Sequence, residues 1–105
     1  MEIIETSIFT RRIQEFYSDD EYRELQAEII ANPYIGKVIP GSGGIRKMRW
    51  RKKGIGKRGG LRILYYWFIQ SKKILMLFAY QKNVQEDISK DQLKTLRKII
   101  EEEYQ

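Results

Sequence analysis

The chain has 105 residues, 42% of them hydrophobic, which is enough for one domain with one modest core and not for two. It has no cysteine and no histidine, so disulfides and thiolate metal sites are excluded and the commonest general base is missing. The net charge of +6 is concentrated: residues 29–85 hold thirteen basic side chains and no acid, whereas residues 1–28 hold three basic and eight acidic, and residues 86–105 four and six.

Glu2 to Thr6 reads as a short strand. Thr6 or Ser7 then caps a helix carrying Ile8, Phe9, Ile13, Phe16 and Tyr17 at helical spacing. Ser18 and Glu21 have capping-box spacing and open a second helix, with Tyr22, Leu25, Ile29 and Ile30 facing inward. Asn32-Pro33 closes it, because the residue before proline avoids helical geometry. Pro40 to Gly44 is a turn. Ile45 to Arg51 alternates as a strand, with Met48 and Trp50 on one face and Lys47 and Arg49 on the other. Residues 52–60 are too glycine-rich for a regular element and read as a basic loop. Leu61 to Ile69 is a β-branched and aromatic run suited to a central strand. Gln70 to Lys73 suits a hairpin turn, and Ile74 to Tyr80 is the next strand. Ser89 and Gln92 form a second capping box, and a helix to Tyr104 presents Leu93, Leu96, Ile100 and Tyr104. The expected architecture is α+β, ordered β-α-α-β-β-β-α, with one twisted, mainly antiparallel sheet and helices packed on it.

The charge distribution points to a polyanionic partner. A membrane fits that role less well, since no basic amphipathic helix carries the charge and no apolar run approaches the roughly 18 residues of a span. No signal peptide is evident, so the expected location is the cytoplasm. Lys47, Arg49, Arg62, Tyr80 and Lys82 sit on or beside the three middle strands, where a twisted sheet lets neighbouring side chains converge. Four cations and a phenol on one patch suit phosphate: arginine binds it bidentately, lysine acts as a mobile charge, and tyrosine stacks on a base or donates its hydroxyl.

Three blocks carry a resemblance to a known family. They are Gly43-Gly44-Ile45-Arg46-Lys47-Met48-Arg49, then Gly56 to Tyr66, then Tyr80-Gln81-Lys82-Asn83. In this order and spacing the chain resembles the HigB branch of the RelE-like toxins, over nearly its whole length. The resemblance implies a toxin of a type II toxin-antitoxin system that enters the A site of the small ribosomal subunit and cuts mRNA there. It implies a cognate antitoxin with a helix-turn-helix domain, and no cofactor or metal. Lys47 and Arg49 match the family's basic positions before the glycine loop, Arg62 the arginine after it, and Lys82 the position where many relatives carry arginine. Tyr80 is the nearest candidate for a tyrosine that the type member carries further along. Arg46, Arg51, Lys52, Lys53, Lys57 and Arg58 are expected to dock on ribosomal RNA.

The expected chemistry is attack of a 2′-hydroxyl on the adjacent phosphate. It needs a base, an acid for the leaving 5′-oxygen, and stabilisation of the phosphorane. With no histidine and no carboxylate in residues 29–85, the base falls to a lysine. Lys47 beside Arg49 and Arg62 has the setting that favours a neutral amine. Arg62 and Lys82 would stabilise the phosphate, and Arg49 would orient it or protonate the leaving group. Two other functions fit the same scaffold: a ParE-like gyrase inhibitor without nuclease activity, and an RNA-binding module that does not cleave.

Overall fold

A computed structural model describes residues 1–50, 60–82 and 84–104. The strands and helices are β1 (Glu2–Glu5), α1 (Ser7–Phe16), α2 (Asp19–Ala31), β2 (Lys37–Val38), β3 (Arg46–Trp50), β4 (Leu61–Phe68), β5 (Lys73–Gln81) and α3 (Lys90–Ile99). They build one five-stranded sheet in the order β1-β5-β4-β3-β2. The meander β2 to β5 is antiparallel, and β1 returns parallel to β5 at the opposite edge. The α+β architecture is the expected one, with one added strand. The ladder of β2 is two residues long, too short to leave an alternating pattern in the sequence. A 3₁₀ turn at Pro33–Ile35 leads into it.

Local chemistry sets the boundaries. Thr6 caps α1: its hydroxyl oxygen accepts from the Phe9 N–H at 3.1 Å and donates to the Leu77 carbonyl at 2.9 Å. Both capping boxes form, Ser18 with Glu21 and Ser89 with Gln92. The hairpin between β4 and β5 turns through Lys72 at φ 55°, so Ile69 lies in the turn, 62% exposed, and not in the strand. The C-terminal helix departs from the expected single run to Tyr104: after Ile99 it widens to π geometry over Ile100–Tyr104.

The sheet is covered on both faces. α1 and α2 bury Phe9, Ile13, Tyr17, Leu25 and Ile29 against Met48, Ile63, Tyr65, Ile74 and Met76. α3 lays Leu96 and Ile100 on Ile45, Leu64, Leu75, Leu77 and Tyr80. Ile8 and Ile30, expected to face inward, are each 42% exposed, because each helix buries a narrower stripe than its apolar residues allow.

One irregularity decides the geometry of the site. Leu64 pairs with Phe78 but Tyr65 pairs with Met76, so Leu77 is an extra residue in β5. A single-residue bulge reverses the facing of everything beyond it. It leaves Leu75, Leu77 and Tyr80 in the cluster beneath α3 while Ala79 joins the opposite one. The Thr6 hydroxyl that caps α1 holds the carbonyl of this bulged residue.

Candidate functional site

Strand register brings Lys47, Arg49 and Arg62 onto the α3 face, towards the β2 edge. Arg49 lies opposite Arg62, and Arg62 opposite Tyr80, across β3, β4 and β5. One step along, Lys37 on β2 lies opposite Lys47, which lies opposite Leu64. Facing partners in a sheet project their side chains from the same side. The face therefore carries two neighbouring cross-strand pairs of like charge, Lys37 with Lys47 and Arg49 with Arg62. Directly opposed like charges destabilise a sheet. Breaches of such local rules are expected at functional sites, with the cost met elsewhere in the fold. An open groove of about 430 Å³ follows this edge and is lined in part by Lys37, Lys47, Arg49, Arg62, Trp50 and Glu28.

Two residues of this site were not found from the sequence. Lys37 joins it through β2, which left no pattern to read. Asp87 joins it from the loop before α3. Its Oδ1 accepts from Lys47 Nζ at 3.2 Å, from the Tyr80 hydroxyl at 3.5 Å and from the Ile88 N–H at 2.8 Å. The Ile88 hydrogen bond, followed by that of Lys47, holds the Asp87 carboxyl below the usual carboxylate range. The Gln85 side chain fixes this loop, donating to the Asp87 carbonyl at 2.8 Å and to the Gln92 side chain within the α3 cap. The helix cap thus places a carboxylate on the cationic face. Asp87 lies two residues beyond the acid-free stretch, and nothing in the sequence separates it from an ordinary acid near a helix start.

The remaining expected residues are distributed differently. Lys82 is exposed in the turn just past the end of β5, and no contact among the described residues joins it to the rows. Tyr80 is 2% exposed, so no ring face is open for a base to stack on, contrary to one role expected for it. Burial, then the Asp87 charge, raises its pKa, so its hydroxyl is a donor and not a phenolate base. Arg46 is on the opposite face, in register with Tyr65. It donates to the Gly36 carbonyl at 2.7 Å and covers the Tyr34 ring at 5.2 Å, so its guanidinium is committed to the fold away from the patch. Arg51, Lys52, Lys53, Lys57 and Arg58 lie outside the described residues.

The arrangement can bind a polyanion and neutralise a phosphate. Arginine does not give up its proton, so among Lys47, Arg49 and Arg62 the lysine is the group able to exchange one. Among the described residues there is no cluster of acids able to hold a metal ion, and no helix is long and apolar enough to cross a membrane.

Comparison with known proteins identifies the family and the fold. The family model described as the RelE toxin of the RelE/RelB toxin-antitoxin system matches residues 1–105. The solved structure of a double arginine-to-alanine mutant of the E. coli toxin RelE, in the free state, superposes with a TM-score of 0.60. The sequence identity is 12%, and the match covers 81% of this chain and 86% of the other. At that identity the likeness speaks for the fold.

Proposed function

The chain belongs to the RelE toxin family, and from that premise we propose that it is a ribosome-dependent endonuclease that cuts mRNA in the A site and so stops translation. Membership implies an antitoxin partner. The three sequence blocks support the HigB-like branch within the family, and with it an antitoxin bearing a helix-turn-helix domain. A cytoplasmic setting follows from the ribosomal target.

The observation that carries this reading is the pair of opposed like-charge rows, Lys37 with Lys47 and Arg49 with Arg62. Lys82, exposed just past the end of β5, is a further candidate cation for the phosphate. In the proposed reaction the 2′-oxygen of one nucleotide forms a bond to the adjacent phosphorus and the bond to the 5′-oxygen breaks. The proton of the 2′-hydroxyl passes to a base and the 5′-oxygen gains one. The products are a 2′,3′-cyclic phosphate and a free 5′-hydroxyl. Arg49 and Arg62 stabilise the extra charge on the phosphorane, and Lys47 is positioned to exchange a proton. These groups are weak acid–base catalysts, so the rate depends on RNA held in attack geometry, a contribution of roughly 7–11 kcal/mol at best. That dependence is a physical reason for the ribosome to be required.

Translation of a defined mRNA in a reconstituted system, with the cut ends mapped, tests the proposal. Cuts within the A-site codon, absent when ribosomes are omitted, are expected. Intact mRNA with blocked gyrase supercoiling would replace this reading with gyrase inhibition, and intact mRNA with simple binding would leave an RNA-binding module.

A further inference from the structure

The function proposed above leaves Asp87 unexplained: a carboxylate on a face that is to receive phosphate works against binding. Its Oδ1 lies 3.2 Å from Lys47 Nζ, where a phosphate oxygen would make the same contact. The contact is not an accident of a floppy loop. The Ile88 N–H orients the carboxylate, the Tyr80 hydroxyl points at it, and Gln85 ties its backbone to the α3 cap. The side chain is 66% exposed, so the ion pair is loose enough to be displaced, while the backbone beneath it is fixed.

We propose that Asp87 is a specificity-determining residue: an internal counter-anion that occupies Lys47 in the free toxin and must be displaced by RNA. The inference rests on the reading of this face as the RNA site. A single free strand has to compete with Asp87 for Lys47 with little else to offset the loss. RNA already positioned by the ribosome brings the same phosphate at a much higher effective concentration and displaces the carboxylate. Asp87 therefore widens the margin between ribosome-held and free RNA. It contributes repulsion against the wrong substrate, a device found where attraction alone discriminates poorly.

The test is binding of a labelled single-stranded RNA with 2′-O-methyl riboses, which cannot be cut, to purified full-length toxin without ribosomes. Asp87→Asn keeps the shape and an oxygen acceptor for the Ile88 N–H while removing the charge. It should tighten binding about two- to fivefold, the range set by an exposed ion pair. Glu86→Gln makes the same change in net charge at the neighbouring exposed residue and should leave the affinity at the wild-type value. In a Lys47→Met background the effect of Asp87→Asn should vanish, because the two act as a pair. The inference is overturned if Asp87→Asn binds RNA no better than wild type or Glu86→Gln, or if its gain persists without Lys47. Loss of affinity in Lys47→Met and Arg62→Met separates the two levels. If both bind like wild type, the RNA-binding face itself is wrong and the inference falls with it. If both weaken while Asp87→Asn stays neutral, the inference alone fails.

Discussion

Replacing Arg62 with methionine should move stability and activity in opposite directions. Arg62 faces Arg49 across one strand pair and Tyr80 across the next, and its side chain is half-buried. Methionine keeps the apolar stem that packs on the sheet and removes the charge. Relief of directly opposed like charges is worth roughly 0.2–1 kcal/mol. In a domain of this size that corresponds to a rise in Tm of about 1–6 °C. The same change removes a donor to the phosphorane, and such donors contribute about 10²-fold or more in rate, at least ~2.7 kcal/mol. The loss of catalysis should therefore exceed the gain in stability severalfold. Thermal unfolding followed by far-UV circular dichroism gives the first quantity, and single-turnover cleavage on programmed ribosomes gives the second. A Tm that falls together with activity would show that Arg62 supports the fold, and the reasoning from opposed charges would be refuted.

Other consequences are more local. Tyr22→Phe removes the hydroxyl that donates to Glu5 Oε2 at 2.8 Å and should cost roughly 1.5 kcal/mol in urea unfolding, as expected for a bond to a carboxylate. Ser18→Ala breaks the α2 capping box and should cost about 1 kcal/mol in the same experiment. Tyr17, Tyr22, Tyr65 and Tyr80 all have pKa values raised above 10.0, with burial the largest cause in each. The folded state holds these phenolic protons more tightly than the unfolded chain does. Their contribution is complete below pH 10.0 and is lost as pH rises above it. The urea midpoint should fall on that side, and less steeply in Tyr22→Phe.

The sequence was most informative where short-range chemistry acts. Both capping boxes and the strands around Met48, Ile63 and Leu75 follow from local patterns, and the structure keeps them. That Lys47 and Arg49 share a face also follows from alternation; Arg62 joins them through the uninterrupted pairing of β3 with β4. What was not legible depends on long-range pairing. The bulge at Leu77 sets which way Tyr80 faces; without the extra residue Ala79 would stand opposite Arg62. Its companion is the distant Thr6, and no local signal marks the connection. Lys37 needed β2, a strand too short to be periodic. Asp87 needed the loop after β5 to fold back over β3, forty residues away in the chain. Arg46 looked equivalent to its neighbours by composition, but alternation put it on the other face beside Gly36 and Tyr34.

On the proposed function, the cationic rows of β3 and β4 carry out the cleavage. The most direct test is single-turnover cutting of mRNA on programmed ribosomes by Lys47→Ala, Arg49→Ala and Arg62→Ala, with Lys73→Ala as the charge control. Lys73 opens β5 at the end far from Tyr80, where its ammonium lies 3.9 Å from Glu2. Losses of about 10²-fold or more are expected for the three row variants, and wild-type cutting for Lys73→Ala. Wild-type cutting by the row variants, or an equal loss in all four, would contradict it.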